Sequence, residues 1–596
     1  MNLAAPLSEA ISQAFKQLFD YDLAADEIKW QPTRKEFPGS HTFVTFPYAR
    51  ISKKSPEETG QMLGAYLKEH SDLVADFNVV KGFLNLSLSD AVWLEILNQI
   101  VRTKDYGQQP SNGQMVTVEF ASPNTNKPLH LGHLRNIFLG FSVNRIMKAA
   151  GYEVKKVNIV NDRGIHICKS MLAYQKFGNG ETPESSGTKG DHLVGHYYVK
   201  FDQAYKQEIQ ELVGKGISEE EAGKRAPLML EAQEMLQKWE ENDPEVVALW
   251  KKMNQWVYQG FDQTYETMGV SFDKIYYESN TYLLGKDLVE KGLKEKVFYQ
   301  KPDGSVWVDL TDQGQDQKLL LRSDGTSVYM TQDLGTAELR YQDFLFTRSV
   351  YVVGNEQDYH FDVLFKILKK MGRGYADGMY HLSYGMVDLP TGKMKSREGT
   401  VVDADQLMEE MVNQAREKTE ELGKIEDFNN EQLDELYQTL GLGALKYYLM
   451  KVDPKKRMLF NPEESVALHG DTGVSIQYTH ARISQILRTA QEQKVPTGNV
   501  EIKDFEKLED LEKELIQLLH QFPEKIKVAA EELAPSVIAQ YTYELAKTYN
   551  RFFAELSIFK AGDPKLMQLR VLLSQQTGRV ISKALSLLGI DAPERM

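Results

Sequence analysis

The spacing of apolar and polar positions divides the chain into three regions. In residues 1 to about 110, Ile11, Phe15 and Leu18 share one helical face, Phe83-Leu84-Asn85-Leu86-Ser87-Leu88 alternates as a half-buried strand does, and a helix follows Asp90. This predicts a small α+β domain, closed by the turn residues Gln108-Gln109-Pro110-Ser111-Asn112-Gly113. From 114 the period switches repeatedly. Met115-Val116-Thr117-Val118-Glu119-Phe120 is rich in β-branched residues and reads as a strand ending near Ala121. A loop with Pro123 and Pro128 follows, then an amphipathic helix marked by Leu134, Ile137, Phe138 and Phe141 and ended by Lys148 and Gly151. Val154–Val160 is the next strand, and such alternation implies a parallel sheet.

The segment from about 170 to 265 interrupts that rhythm with turns near 178–190 and long charged helices, and reads as an insertion in which Glu219-Glu220-Glu221 is a solvated face. Strand and helix signals return at Phe272–Tyr277, around Ser327-Val328-Tyr329-Met330, and at Ser349–Val353. From roughly 430 the pattern is helical to the last residue. The expected organisation is α/β with domains at 1–110, 111–425 and 426–596, the middle one carrying the sheet.

Composition adds exclusions. With 42% hydrophobic and 26% charged residues the chain is ordinary for a folded protein. No apolar run approaches the roughly 20 residues that cross a bilayer, and the first residues lack a cationic segment before an apolar one, so a cytoplasmic location is expected. A single cysteine, Cys168, excludes a disulfide framework. The net charge of −15 argues against indiscriminate nucleic-acid binding while leaving room for a local basic surface.

Chemistry concentrates at two loops beside the inferred sheet. His130-Leu131-Gly132-His133 sits at a helix start, where free N–H groups and the helix dipole favour an anion, and Gly132 lets a ring or phosphate approach the backbone. The histidines could instead cap the helix or bind a structural metal, although one cysteine leaves few zinc ligands. By composition a chance His-x-Gly-His is expected roughly 0.02 times here. Far away, Lys393-Met394-Lys395-Ser396-Arg397 places three cations between Gly392 and Gly399, and Asp403 with Gln406 offers a capping box for the next helix. Loops after strands of a doubly wound sheet meet at its carboxyl edge, so the two could grip a triphosphate from both sides.

His130-Leu131-Gly132-His133 and Lys393–Arg397 resemble the HIGH and KMSKS signatures of class I aminoacyl-tRNA synthetases. Ser122-Pro123-Asn124 with Lys127, Ser327–Asp333, Gln477–Arg482 and the terminal Gly589–Met596 extend the resemblance to the arginyl-tRNA synthetase family. That resemblance implies a Rossmann-type catalytic domain, an N-terminal α+β domain contacting tRNA, and a C-terminal α-helical anticodon-binding domain. ATP with Mg²⁺, L-arginine and tRNA(Arg) become the expected substrates, activation is expected to require tRNA, and a monomer without a structural metal is expected.

The carry-over names His130, His133, Lys127, Lys393 and Lys395 as catalytic, with Gly132, Met394 and Ser396 also at ATP. Ser396 stands where the family has its second lysine, and Lys127, upstream of the histidines, or Lys395, in the preceding position, is expected to compensate. Glu119, Asn124, Glu278, Tyr329, Asp333 and Gln357 fall on arginine-binding positions. For RNA, the resemblance and the interleaving of cations with rings point to Tyr478 and Arg482, accompanied by Lys446, Lys451, Lys455, Lys456, Arg457, Arg488, Tyr447, Tyr448, Phe460 and the Tyr543–Phe553 stretch. A pocket of buried acids would reject neutral amino acids without an editing domain. A class I enzyme of other specificity and a catalytically impaired RNA-binding paralogue are the rival readings.

Overall fold

The computed structural model describes residues 3–34, 36–389, 402–423, 428–501, 505 and 507–596. The segment Lys393–Arg397 therefore lies outside the described residues. The first domain is an antiparallel sheet of β1 (Trp30–Pro32), β2 (His41–Val44), β3 (Val74–Val80) and β4 (Phe83–Leu88) in the order β1-β2-β4-β3. The helix Pro56–His70 packs on it, started by a reciprocal Ser55–Glu58 capping box. Its closing helix, Asp90–Arg102, joins the distant C-terminal helices: Asn98 exchanges two hydrogen bonds with the Val500 backbone at 3.0 and 3.1 Å, and Lys513 reaches Asp90 at 2.7 Å.

The middle region holds β5 (Met115–Glu119), β6 (Glu153–Val160), β7 (Lys274–Tyr277), a small antiparallel sheet of β8 (Phe298–Gln300), β9 (Val306–Val308) and β10 (Lys318–Leu321), then β11 (Arg348–Gly354) and β12 (Met379–Tyr384). The main sheet has five parallel strands in the order β12-β11-β5-β6-β7. The chain leaves β5 toward β6 and β7, then returns to the other side of β5 with β11. The direction of winding thus reverses between β5 and β11, and that is where a doubly wound sheet opens a crevice at its carboxyl edge. Between β6 and β7 the chain is helical, as the charge pattern predicts, with long helices at Gly190–Gly214 and Pro244–Met268.

Three features differ from the sequence expectation. The periodicity singled out neither β8–β10 nor the edge strand β12. The signal around Ser327–Met330 resolves into one bridge, Leu321 with Ser327, followed by a helix over Tyr329–Phe344. The helix Leu131–Ala149 is buried along most of its length rather than amphipathic, with Arg145 and Lys148 exposed near its end: the sheet covers one face and the helices Asn430–Met450 and Asp510–Glu532 cover others. Even Arg135 is inside, donating to the carbonyls of Pro454 at 3.1 Å and Lys456 at 2.8 Å. Cys168 is buried as a free thiol. Among the described residues no helix is long and apolar enough to cross a membrane.

Candidate active site

β5 delivers the first part of the site. Past its end, Ala121 and Ser122 take φ of +74° and +44°, a left-handed turn that non-glycine residues adopt at a cost. Buried amides hold that turn in place. Ala121 N–H donates to Asn136 Oδ1 at 2.6 Å and Ser122 N–H to Asn158 Oδ1 at 3.0 Å, while Asn136 Nδ2 is tied to the Val352 carbonyl on β11 at 2.7 Å. One asparagine thereby links the strands on both sides of the crevice. Beyond the turn, Thr125 N–H and Asn161 N–H bond across to Asn161 and Pro123 carbonyls, leaving Asn124 exposed at the sheet edge.

The histidines do cap the helix, and the capping fixes their chemistry. His130 Nδ1 accepts from Gly132 N–H at 3.2 Å, and His133 Nδ1 accepts from His130 N–H at 3.1 Å. A neutral imidazole that accepts at Nδ1 carries its proton on Nε2, so each ring has a donor left over. Their centroids are 3.9 Å apart. Burial, then the nearby Lys127, brings His130 down to about 4, and burial, His130 and Lys127 hold His133 well below its ordinary 6.5. Both are therefore neutral donors at pH 7. Lys127 is itself half-buried, and burial lowers its affinity for a proton.

The backbone just past residue 401 returns to this helix start. Leu131 N–H donates to the Val402 carbonyl at 3.1 Å, Ala404 N–H to the Leu129 carbonyl at 3.0 Å, and His130 and Asp403 form an antiparallel bridge. Of the expected capping box one half is present, Gln406 N–H standing 3.0 Å from Asp403 Oδ1, and the return bond from the Gln406 side chain is not found among the described residues. The other end, β13 (Val387–Asp388), pairs with β14 (Met458–Leu459) and is braced by Arg457 on Asp388. Both ends of the segment holding Lys393, Met394, Lys395 and Ser396 are thus attached beside the sheet edge.

Across the edge lie acids. Glu278 begins the helix directly after β7, and its carboxyl has no hydrogen bond or ion pair among the described residues. Burial raises it to about 7, against the pull of Arg163 and with further push from Asp162 and Asp333. Asp333 comes from the helix after β10 and bonds His360 at 2.6 Å, raising that imidazole above its ordinary value. One turn earlier Tyr329 is 73% exposed, so it is not a core ring, and Gln357 is exposed in the turn after β11. Asn124, Glu278 and Gln357 thus follow β5, β7 and β11, while Tyr329 and Asp333 lie in the first turns of the helix after β10. Glu119 differs: its Oε2 is held by Arg340, and both side chains are almost fully buried. Arg340 was invisible to pattern reading, since a helical arginine is ordinarily a surface residue.

The C-terminal candidates divide by burial. Arg482 lies 5.0 Å from the Tyr478 ring and 5.1 Å from Phe553, at a hollow also lined by Tyr543, Lys547 and Arg551. Lys455 and Lys456 are exposed. Lys446, Tyr447, Tyr448 and Phe460 are corrected to core residues: Lys446 donates to the Gly589 carbonyl at 2.7 Å, Tyr447 to Asp471 at 2.6 Å, and Phe460 is wholly covered. Arg457 is engaged by Asp388 and Lys451 by the Asp471 carbonyl. A helix packed on several sides needs rings inside, and spacing alone cannot separate these from stacking platforms.

Comparison with known proteins matches the chain region by region. Residues 5–88 match the arginyl tRNA synthetase N terminal domain, 95–461 the catalytic domain of tRNA synthetases class I (R), and 476–596 the DALR anticodon binding domain. The chain is 56% identical over 596 residues to the arginine–tRNA ligase of Amoebophilus asiaticus and 52% identical over 604 residues to that of Bacteroides thetaiotaomicron, covering 100% of each. The Thermus thermophilus arginyl-tRNA synthetase superposes with a TM-score of 0.76 at 25% identity, with 100% of both chains covered. Agreement along the full length at about half the positions, with all three regions in order, means that the chain belongs to the arginyl-tRNA synthetase family.

Proposed function

We propose that the chain uses ATP to activate L-arginine and transfers it to the 3′ end of tRNA(Arg). In the first step the arginine carboxylate attacks the α-phosphorus and pyrophosphate leaves; in the second, a hydroxyl of the terminal adenosine displaces AMP from the arginyl adenylate. The observation that carries this reading is the Glu278 carboxyl after β7, which feels the charges of Asp162 and Asp333. Glu278 is half-buried, unpaired among the described residues and pushed up to about 7, a state that a bound guanidinium would relieve. Arginine brings a permanent cation with five donors, which Glu278, Asp333, Tyr329 and Gln357 suit in charge and hydrogen bonding. Asn124 supplies a polar contact for the amino-acid backbone, while Glu119 is held by Arg340 and acts on the site through the strand that carries it.

Phosphate chemistry falls to the other side. His130 and His133 donate Nε2–H to phosphate oxygens while neutral, Gly132 leaves the adenine room, and Lys127, Lys393 and Lys395 offset the charge that develops on the leaving pyrophosphate. Met394 and Ser396 complete the ATP contacts, and Lys127 takes over from the lysine that Ser396 replaces. The donors around His130 are imidazoles and an ammonium, which are poor Mg²⁺ ligands, so Mg²⁺ arrives as part of the ATP substrate. Tyr478 and Arg482 contact tRNA. The enzyme works as a cytoplasmic monomer, and the penalty of leaving buried acids unpaired takes the place of an editing domain. Pyrophosphate exchange with each amino acid, with and without tRNA, tests the reading. Exchange with arginine alone, and only when tRNA is present, is expected; exchange with no amino acid refutes it.

A further inference from the structure

A charged cluster outside both substrate regions joins the insertion to the histidine loop. Lys189 precedes the helix Gly190–Gly214, Asp191 and His192 lie in its first turn, Thr264 comes from Pro244–Met268, and Asp403 and Asp405 come from the start of Ala404–Leu422. Lys189 Nζ is 2.6 Å from Asp405 Oδ2 and 3.3 Å from Asp191, and it also bonds Thr264. His192 Nε2 is 3.0 Å from Asp405 Oδ2 and 3.4 Å from Asp403 Oδ2, and Thr264 Oγ1 donates to Asp405 Oδ1 at 2.9 Å. Asp191 is completely buried, and its carboxylate occupies the space a side chain on Gly260 would need, since a Cβ there would come within 2.3 Å. The two insertion helices could not otherwise close on the cluster.

The same helix also touches the opposite limb of the loop. A Cβ on Gly195 would stand 2.7 Å from Pro128 Cδ, and Tyr198 bonds His166 Nδ1 at 2.9 Å and Asn126. One rigid helix therefore braces residues 126–128 before His130 and residues 403–405 that pair with it. Asp191, His192 and Asp405 bring possible ligand atoms within 4.8 Å of one another, but the Lys189 ammonium already supplies a cation there, which disfavours a metal.

We propose that Lys189 and His192 are positioning residues for adenylate formation: through Asp405 and Asp403 they hold Val402–Ala404 against Leu129–Leu131 and fix the frame from which His130 meets the ATP phosphates. The inference rests on the function proposed above. The alternative is a purely structural clamp. Misplacement by a fraction of an ångström costs rate without unfolding the protein, which is what separates the two.

The direction of the pH effect follows from the charges in the cluster. His192 is raised above its ordinary 6.5, first by its bond to Asp405 and against burial, while Asp405, against burial, is drawn down to about 2 by His192 and Lys189. The charged groups facing His192 are Lys189, Asp191, Asp403 and Asp405. A raised histidine stabilises the clamp below its unfolded value, and that contribution disappears as pH rises through the folded one.

The test uses the full chain with ATP, arginine and tRNA. His192→Ala and Asp405→Asn are each expected to lower kcat/KM for ATP about 10-fold with KM for arginine within about twofold. The double variant is expected to be no worse than the worse single one, because both break the same contact. His192→Gln, which keeps a donor, should recover most of the loss and flatten the decline of wild-type kcat/KM for ATP on the alkaline side. Additive losses, or a lower melting temperature with ATP and arginine parameters unchanged, overturn the inference. A wild-type protein that activates no amino acid instead refutes the functional reading itself.

Discussion

Replacing Glu119 by Gln tests whether that acid serves the fold or the substrate. Its partner Arg340 is 1% exposed, and the guanidinium Nε and Nη1 already lack hydrogen-bond partners. Arginine cannot shed its proton at accessible pH, so the variant leaves a buried cation with no counter-charge. Breaking a buried pair from one side costs about 3–5 kcal/mol. At about 1.4 kcal/mol per decade, that is a fall of roughly two to three and a half decades in the equilibrium against local opening. Native-state amide exchange at Val118, Val350 and Tyr351 reads this directly, because these residues lie on the paired strands β5 and β11. Pairing the change with Arg340→Met, which removes the stranded charge while keeping apolar bulk, should restore protection to within about a decade, since replacing a buried pair by packed apolar groups is often neutral. Unchanged protection in Glu119→Gln combined with a large rise in KM for arginine would refute the reasoning and make Glu119 a direct substrate ligand.

Three further outcomes are expected. Because Glu278 is raised to about 7 and must be ionised to receive a guanidinium, KM for arginine should climb as pH falls from 8 to 6, and Glu278→Gln should remove that slope while raising KM throughout; a pH-independent wild-type KM counts against Glu278 as an arginine ligand. Its raised value also means that Glu278 favours the folded state below its unfolded value near 4.5 and loses that contribution as pH rises toward 7, so relief by substrate should appear as proton release in calorimetry across two buffers. Lys127→Ala should depress adenylate formation by roughly 10²-fold with little change in arginine or tRNA binding, on the scale of losing one preorganised donor to transition-state charge; near-normal activation would remove Lys127 as the compensating cation.

Much of this was open to reading along the chain. The parallel sheet follows from alternating periods, and the helical insertion from its charge runs. The histidine pair was legible as the start of a helix, where it could cap the helix or face an anion, and Asp403 was legible as the cap of the next one. These are local facts: a strand, a cap or a turn depends on neighbours within a few residues, so the sequence carries them openly.

What only the tertiary structure decided is which side chains are partners and which are buried. Lys446 and Tyr447 have the composition of an RNA surface and lie in the core, because packing between helices, not their spacing, determines which face is wet. Asn136 joins β5 to β11 and Arg340 neutralises Glu119 across 221 residues of chain, contacts that no periodicity encodes. The Lys189–His192–Asp405 cluster brings together residues more than 200 positions apart that belong to no motif. The sequence by itself determined the kinds of chemistry present and the elements that bear them; the reversal of winding beside β5 decided where they meet, because long-range burial and charge pairing exist only once the sheet has closed the distances between them.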